Sequence, residues 1–345
     1  MKKHKILVSL IIAALFIAGC AQVTSLNLRK HQFGRIPTQI VWIQVAGLAP
    51  EHLVLLKYSY PSRNTTTAFE KSLCIGNTWE YDLYNLRPSA HAGFLGQLTG
   101  KKNIKNSCDD YKLRPIWSYL NTQNYSVGIF EGETAKIETV RNSKSCVDES
   151  ADFLDGTIFW KMAKPAGDNT FHANENKKYR KNTVYYDKSC AGKECFSTIS
   201  RNIEETFNSF SRSSKNFLYI VRNFQFAKYI ANKDVLKAKA ELNEINNVLS
   251  YFQKLSEKNP DMLVLVSSAK SVAVDFPRSG PEWQKYEKRG KYLVSRRSKL
   301  LSTLYATGAR AENFCGIYDQ SQILSRIFSG AKQQGLEFSI INPFD

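Results

Sequence analysis

A run of apolar residues gives the clearest strand signal in the chain. Met262–Val266 (MLVLV) is rich in branched side chains and is followed by two small hydroxyl residues, Ser267 and Ser268. A short, continuous apolar run of this kind is typical of a strand that is buried on both faces of a parallel sheet. Binding sites in open α/β sheets form at the carboxyl ends of such strands. Ala269 and Lys270 therefore stand where functional side chains are expected.

Other apolar, β-rich runs alternate with segments of helical periodicity. The predicted strands are Gln39–Val45, Asn124–Glu131, Phe217–Val221 and Leu336–Ile341, while Leu300–Tyr305 fits either a strand or a helix. The predicted helices are Ala49–Tyr58, Ser89–Gly100, Arg114–Gln123, Asp148–Ala163, Phe196–Ser214, Asp234–Lys258 and Ile317–Gly330. This alternation predicts an α/β fold with a mostly parallel central sheet and helices on both faces.

Two basic stretches lack a clear period and are predicted to be exposed insertions. The first, near residues 164–196, contains the polar segment Pro165–Lys188. The second covers residues 277–297, where Gly280-Pro281 marks a break.

The N-terminus has the pattern of a signal peptide. A lysine-rich start precedes the apolar stretch Ile6–Ala18, which is short for a membrane span. The sequence Ile17–Cys20 (IAGC) resembles the lipobox of bacterial lipoproteins, which implies cleavage before Cys20 and lipid attachment to its thiol. Ala21 would, by the sorting rule of that family, favour the outer membrane over the inner one. The alternative is an ordinary secretory signal with an unrelated cysteine.

The same pattern divides the chain into three parts. Residues 1–19 are predicted to be the signal peptide, residues 20–38 a polar tether, and residues 39–345 one α/β domain. The chain carries 48 Lys and Arg against 31 Asp and Glu, a net charge of +17. Removing residues 1–19 takes away three lysines and leaves a charge of about +14. On an envelope protein this charge favours contact with anionic lipid or an acidic protein, and nucleic acid is not an expected partner.

Six of the seven cysteines remain once Cys20 is assigned to lipid. An even number in an oxidising compartment predicts three disulfides. Cys190 and Cys195 are close enough in sequence to close a small loop. The other four allow three pairings, which the sequence leaves open; they are Cys74, Cys108, Cys146 and Cys315. A metal site is the competing interpretation, but no two cysteines have C-x-x-C spacing and histidine is scarce.

Five segments, in this order, resemble motifs of the alkaline phosphatase superfamily, which includes sulfatases and envelope phosphoethanolamine or phosphoglycerol transferases. They are Ile40–Glu51 (IVWIQVAGLAPE), Pro88–Gly100 (PSAHAGFLGQLTG), Ile116–Glu131 (IWSYLNTQNYSVGIFE), Met262–Ser271 (MLVLVSSAKS) and Ile317–Gly330 (IYDQSQILSRIFSG). The resemblance spans about residues 38–335 and implies a three-layer α/β sandwich. In that family two divalent ions, held by Asp and His, activate a Thr, Ser or modified Cys nucleophile.

The residues that carry this chemistry in the family are replaced here. Ala46 stands at the first metal-binding aspartate and Ala90 at the nucleophile. The remaining ligand positions fall on Phe224, Lys228, Ala269 and Lys270. A slip of one residue brings Ser89 or His91 to the nucleophile position, but it does not restore two metal sites. The resemblance therefore implies a chain that has lost catalysis and binds no metal or other cofactor.

Three functions are compatible with this pattern. The first is a non-catalytic envelope lipoprotein that acts as a structural or interaction component, for example in an outer-membrane secretion assembly, with the membrane and other envelope proteins as partners. The second is a module for anionic lipid headgroups or glycans, in which Lys228 and Lys270 replace the charge of the metals. The third is a residual phosphohydrolase or phosphotransferase.

Overall fold

A computed structural model describes residues 36–57, 66–132, 140, 146–164, 169–174, 178–190, 197–277, 280–289, 294–298 and 300–328. The strands are β1 (Gln39–Ala46), β2 (Cys74–Trp79), β3 (Ser126–Glu131), β4 (Thr157–Lys161), β5 (Phe171–Ala173), β6 (Thr183–Tyr186), β7 (Phe217–Asn223), β8 (Met262–Ala269), β9 (Val272–Val274), β10 (Val294–Ser298), β11 (Leu301–Gly308) and β12 (Gly316–Asp319). The helices are α1 (Leu53–Lys57), α2 (Ala90–Thr99), α3 (Ile116–Leu120), α4 (Val147–Phe153), α5 (Ile199–Arg212), α6 (Gln225–Ala231), α7 (Val235–Lys258), α8 (Gly280–Arg289) and α9 (Ile323–Phe328).

Ten of these strands form one central sheet in the order β12-β2-β11-β8-β1-β7-β3-β4-β6-β5. All of them run parallel except β11, which is antiparallel to both of its neighbours. The carboxyl ends of β1, β3, β4, β7 and β8 therefore meet at one edge of the sheet. Strands β9 and β10 form a separate antiparallel pair.

Helices cover both faces of the sheet, and the alternation of side chains explains how. In β1, Val41 and Ile43 belong to the apolar core on one face, whereas Ile40 and Trp42 belong to the core on the other. The long helix α7 packs on the first face and α2 packs on the second. The predicted α/β fold, with a mostly parallel sheet between two helical layers, is thus confirmed.

Helix α2, which carries the predicted nucleophile position, has bounds close to those predicted from sequence. The Ser89 side chain caps its start by accepting a hydrogen bond from the backbone N–H of Ala92 at 3.0 Å. Gly100 closes the helix in the left-handed conformation, with φ of 68°.

Among the described residues, no helix has both the length and the hydrophobicity that a membrane span requires.

Several predicted elements are corrected by the structure. The predicted helix Asp148–Ala163 ends at Phe153, and its second half is strand β4, whose sequence TIFWK is rich in β-branched and aromatic residues. The predicted helix Ile317–Gly330 begins as strand β12.

The two predicted insertions also contain regular structure. Segment Pro165–Lys188 includes β5 and β6, which extend the sheet on one side. The break at Gly280-Pro281 is instead the start of α8, because proline is tolerated in the first turn of a helix. The predicted strand Leu336–Ile341 and the N-terminal residues, including Cys20, lie outside the described residues.

Two disulfides are present, and they resolve the pairing that the sequence left open. Cys74 pairs with Cys315, and Cys108 pairs with Cys146. The first joins β2 to the residue before β12. The second joins the 3-10 turn Cys108–Lys112 to the residue before α4. Cys195 and the side chain of Cys190 lie outside the described part of the structure. The predicted Cys190–Cys195 bridge therefore stays a prediction.

Replacing Cys108 and Cys146 by serine should lower the free energy of unfolding by about 2–4 kcal/mol. The bridge closes a loop with a sequence separation of 38 residues, which restricts the unfolded chain. Urea denaturation of the oxidised wild type and of the double variant measures the difference. Reducing the wild type also opens Cys74–Cys315, so its midpoint should fall at least as far as that of the variant. An unchanged midpoint in both experiments would contradict the prediction.

Candidate functional site

The carboxyl edge of the sheet holds a small apolar cluster. Its five members, hereafter the apolar cluster, are Ala46, Ala90, Phe94, Phe224 and Ala269. None of them is more than 2% exposed. The rings of Phe94 and Phe224 meet edge to face, with their centroids 5.5 Å apart. Four of the six positions that the resemblance assigns to metal ligands and nucleophile therefore pack against one another as apolar side chains.

Close backbone contacts leave little space around this cluster. Gly93 of α2 lies so near the end of β8 that a Cβ atom on it would be 2.8 Å from the Cβ of Ala269. Gly47, which follows β1 with φ of +79°, approaches α6 in the same way, since an added Cβ would be 2.9 Å from the Cβ of Ala227. Helices α2 and α6 are thus packed directly onto the tips of the central strands.

A row of polar side chains crosses five neighbouring strands just beneath the apolar cluster. In register order its members are Ser267, Gln44, Arg222, Glu131 and Lys161. All of them are buried. Residues in register on parallel strands point to the same face of a sheet. The row therefore lies under α2 on one face of the sheet.

Three members of this row, hereafter the ion cluster, carry charge. Arg222 Nη1 donates a hydrogen bond to Glu131 Oε1 at 2.8 Å, and Lys161 Nζ lies 3.7 Å from Glu131 Oε2. The guanidinium of Arg222 also lies over the ring of Phe224, 5.1 Å from its centroid. A buried cation thus contacts the apolar cluster, and its charge is compensated by Glu131 from the next strand.

A second part of the row fixes α2 to the sheet. The side-chain amide of Gln97 donates to the carbonyl of Ser268 at 2.9 Å, and its oxygen accepts from the hydroxyl of Ser267 at 2.7 Å. The Ser267 hydroxyl in turn accepts from the indole N–H of Trp42 at 2.8 Å. These hydrogen bonds satisfy buried polar groups, and they set the position of α2 relative to the ends of β1 and β8.

The two predicted anion-binding lysines lie outside the apolar cluster. Lys228 is exposed on α6, and Lys270 is exposed directly after β8, where its φ of 55° is left-handed. The charge of Lys270 acts on the buried carboxyl of Glu80. Burial raises the pKa of Glu80, while the backbone N–H of Ser271 and the charge of Lys270 oppose that shift. Lys270 therefore has a neighbouring carboxyl group, in addition to its access to solvent.

Comparison with solved structures identifies the architecture. A cold-active alkaline phosphatase from the psychrophile Shewanella sp. superposes with a TM-score of 0.68 at 12% identity, covering 84% of this chain and 99% of that chain. For alkaline phosphatase from the Antarctic bacterium TAB5 the TM-score is 0.65 at 13% identity, with 86% and 99% covered. For Thermus thermophilus alkaline phosphatase it is 0.64 at 11% identity, with 89% and 94% covered.

The chain has the alkaline phosphatase fold. No protein-family model matches the sequence, and no curated protein matches it either. Identities this low establish the fold alone, so activity has to be argued from the residues at the site.

The residues at this edge do not fit a divalent metal. Ala46, Phe224 and Ala269 offer no ligand atom, and the ammonium groups of Lys228 and Lys270 are donors only. The part of the chain that the structure describes contains no group of three or more His, Cys, Asp or Glu side chains placed to hold an ion. Three of these positions are instead filled by the apolar cluster, whose rings and methyl groups occupy the space between β1, β8 and α2.

Sequence reasoning missed the ion cluster. It identified positions by comparison with family motifs. Segment Ile116–Glu131 ends at Glu131 without assigning it a role, and no segment includes Arg222 or Lys161. A signal was nevertheless present, because each charged residue ends or nearly ends an apolar β-rich run (FLYIVRN, SVGIFE and TIFWK). Charged residues at the carboxyl ends of neighbouring parallel strands meet at one edge of the sheet.

His91, which is adjacent to the predicted nucleophile position, gives a pH-dependent prediction. Burial, with a smaller effect of the Arg222 guanidinium, lowers its pKa from 6.5 to about 3. Its Nε2 lies at hydrogen-bond distance, 3.2 Å, from the Tyr111 hydroxyl. The unfolded chain therefore binds a proton that the folded chain does not between these pH values. The contribution of neutral His91 to the free energy of unfolding should be fully present above pH 6.5 and should be lost as the pH is lowered toward about 3.

Chemical denaturation of the wild type and His91→Gln at a series of pH values measures this contribution. The difference in unfolding free energy between the two proteins should change with pH across that interval. His172→Gln is the matched control, because His172 is exposed on β5. Parallel pH profiles for the wild type and His91→Gln would contradict the prediction.

Proposed function

We propose that this chain is a non-catalytic protein of the bacterial cell envelope, which uses the alkaline phosphatase fold as a structural and interaction scaffold. The observation that carries the proposal is the apolar cluster. Ala46, Phe224 and Ala269 stand at positions that the motif resemblance assigns to metal ligands, and they pack against α2 without a ligand atom. A reaction of the family's kind needs charge and a nucleophile at this point, and the cluster provides neither.

Metal analysis and hydrolysis assays on the same preparation test this proposal. The mature chain is purified, and its content of zinc, manganese, calcium and magnesium is measured. Phosphomonoester, phosphodiester and sulfate-ester substrates are then assayed with each ion added. We expect neither a stoichiometric metal nor turnover that exceeds the control. Stoichiometric metal, or turnover that Ala90→Val abolishes, would establish a residual phosphohydrolase or transferase and overturn the proposal.

The envelope location rests on the sequence Ile17–Cys20 and is tested separately. Growth with a labelled fatty acid should label the wild type and leave Cys20→Ser unlabelled. Fractionation should then find the wild type with the outer membrane, as Ala21 implies. Isolation of the lipidated protein from solubilised envelopes, followed by mass spectrometry, tests membership of a larger assembly such as a secretion system. Recovery as a lone monomer would argue against such an assembly.

A second candidate is the binding of anionic headgroups or glycans by Lys228 and Lys270. It is favoured by the exposure of both side chains, since a charged group in solvent can reach a ligand without first being uncovered. Titration with inorganic phosphate and with a phospholipid headgroup tests it in the wild type and in Lys228→Ala/Lys270→Ala. Equal affinity of the two proteins would eliminate these lysines as a site.

A further inference from the structure

The exposed apolar side chains of the described residues are concentrated in one region. Eight of the ten large ones belong to β2, β12 and the adjoining segments; they are Leu73, Ile75, Trp79, Leu83, Tyr84, Leu86, Leu300 and Ile317. Single exposed apolar residues are ordinary on a protein surface, but a concentration of this kind marks an interaction site. The most exposed of them lie in residues 81–87, hereafter the apolar loop, where Leu83 is 71% and Leu86 is 73% exposed.

The apolar loop is an ordered turn. The buried carboxylate of Asp82 accepts hydrogen bonds from the backbone N–H of Tyr84 at 2.7 Å and of Asn85 at 2.5 Å. The N–H of Leu83 donates to the carbonyl of Lys102 at 2.9 Å, which holds the loop against the next segment. The fold therefore holds Leu83, Tyr84 and Leu86 in solvent on a fixed backbone, so little ordering entropy is lost when they bind a surface.

The charged side chains of residues 71–107 that reach solvent are all basic. Residues 71–107 contain two acidic side chains, Glu80 and Asp82, which are only 2% and 7% exposed. The same stretch contains basic side chains that reach solvent, among them Arg87 on the loop itself and Lys105. Lys101 lies next to the backbone contact with Leu83 and is half-buried. Protruding leucines with a tyrosine and a basic border match the composition of segments that enter the interface of an anionic bilayer.

We propose that the apolar loop docks on an anionic lipid surface. Leu83 and Leu86 enter the boundary between headgroups and acyl chains, Tyr84 lies at headgroup level, and Arg87 and Lys101 attract lipid phosphate. The observations favour lipid over a protein partner because these side chains protrude from a short loop, and a bilayer requires no groove of matching shape. An anionic lipid surface would be a partner for the interaction role proposed above, and the proposal rests on that role in no other way. A hydrolase that carried the same loop would bind vesicles equally.

The loop and the start of the described chain at residue 36 lie at opposite ends of the sheet. The described chain enters at the amino end of β1, whereas the loop follows the carboxyl end of β2, which runs parallel to β1. The length of β1 is about 26 Å at 3.3 Å per residue. Residues 20–35, if fully extended, would reach about 53–58 Å. The tether is therefore long enough for the loop to contact the same bilayer that holds the lipid.

Vesicle sedimentation tests the proposal with residues 20–345 carrying Cys20→Ser, which removes the lipid and retains every described residue. Binding is compared on vesicles of phosphatidylcholine alone and of equal parts phosphatidylcholine and phosphatidylglycerol. We expect binding to the anionic vesicles that weakens as salt is raised. Leu83→Ser/Leu86→Ser should reduce this binding about tenfold or more. The matched control, Leu236→Ser, removes a leucine that is 55% exposed on α7 and should leave binding unchanged.

Two further variants test the charges independently of the leucines. Arg87→Ala and Lys101→Ala should each reduce binding about fivefold, the equivalent of ~1 kcal/mol per cation near an anionic surface. Lys254→Ala is the control on an exposed helix face. Absence of binding to anionic vesicles, or equal binding by the leucine variant and the wild type, would overturn the proposal. Unchanged vesicle binding by the leucine variant with loss of an envelope protein in pull-down would assign the loop to a protein partner.

The outcome is separable from that of the function proposed above. Turnover in the hydrolysis assays would refute the non-catalytic role and leave the vesicle result unaffected. Failure to bind vesicles, with no turnover and no metal, would refute only the docking surface.

Discussion

Replacing Glu131 by glutamine should lower the free energy of unfolding by about 3–5 kcal/mol. The Glu131 side chain is 2% exposed and lies between Arg222 Nη1 at 2.8 Å and Lys161 Nζ at 3.7 Å. Glutamine keeps the shape and removes the charge, which leaves two cations in the interior with no anion between them. Removing the charge of one partner of a buried ion pair is among the few changes that cause a loss this large. Urea denaturation at neutral pH measures the change.

Two further variants show whether the loss of unfolding free energy comes from the buried charge or from the substitution of a side chain as such. Glu205→Gln breaks the exposed pair with Arg201 on α5 and should cost less than about 1 kcal/mol. Lys161→Met leaves the Arg222–Glu131 pair intact and should cost less than Glu131→Gln. Equal losses for Glu131→Gln and Glu205→Gln would show that the ion cluster contributes no more than a surface pair.

The central strands were predictable because their side chains are apolar on both faces. Met262–Val266 and Gln39–Val45 contain too few polar residues for exposed strands, and they became β8 and β1 at the middle of the sheet. The outer strand β2 is not predicted, because hydrophobicity does not follow burial in CIGNTW: Ile75 and Trp79 are exposed, whereas Gly76 and Thr78 are buried. Strand β12 is predicted as part of a helix, since its four residues lead through the 3-10 turn Gln320–Gln322 into α9.

The positions of the site were predictable, but their arrangement was not. Comparison with family motifs assigned Ala46, Ala90, Phe224 and Ala269 to one edge, and the structure brings these residues into contact. The sequence did not indicate that Phe94 would join them, because a phenylalanine within a helix is ordinarily a core residue. It also did not pair Arg222 with Glu131, since strand order decides which charged ends are neighbours.

The apolar cluster and the ion cluster together indicate how the fold is stabilised with alanine and phenylalanine at the positions that the motif resemblance assigns to metal ligands. In the resembled family, metal ions would supply positive charge at the ends of the central strands. Here Arg222 places a cation against the rings of Phe94 and Phe224. Glu131 compensates that cation from the neighbouring strand, and the methyl groups of the alanines occupy the remaining space. The edge is thus stabilised by packing and by a fixed ion pair, neither of which needs an exchangeable ligand.

Returning one ligand to this edge should unfold much of the protein. Ala46→Asp introduces a carboxylate at a position that is 0% exposed, among Phe94, Phe224 and Ala269. The group either loses its hydration or takes up a proton, and it also exceeds the space that Gly93 and α2 leave. We expect the free energy of unfolding to fall by about 4–5 kcal/mol or more. Urea denaturation, with and without zinc, manganese or calcium, measures the loss and any recovery.

The exposed change Ala240→Asp on α7 is the matched control, and it should cost less than about 1 kcal/mol, the difference in helix propensity. Added metal should not recover the stability of Ala46→Asp, because Phe224 and Ala269 supply no further ligand and a single carboxylate holds a divalent ion weakly. Recovery by one of the ions would mean that the edge still assembles a metal site. Packing of the apolar cluster would then not be what excludes a metal ion from this edge.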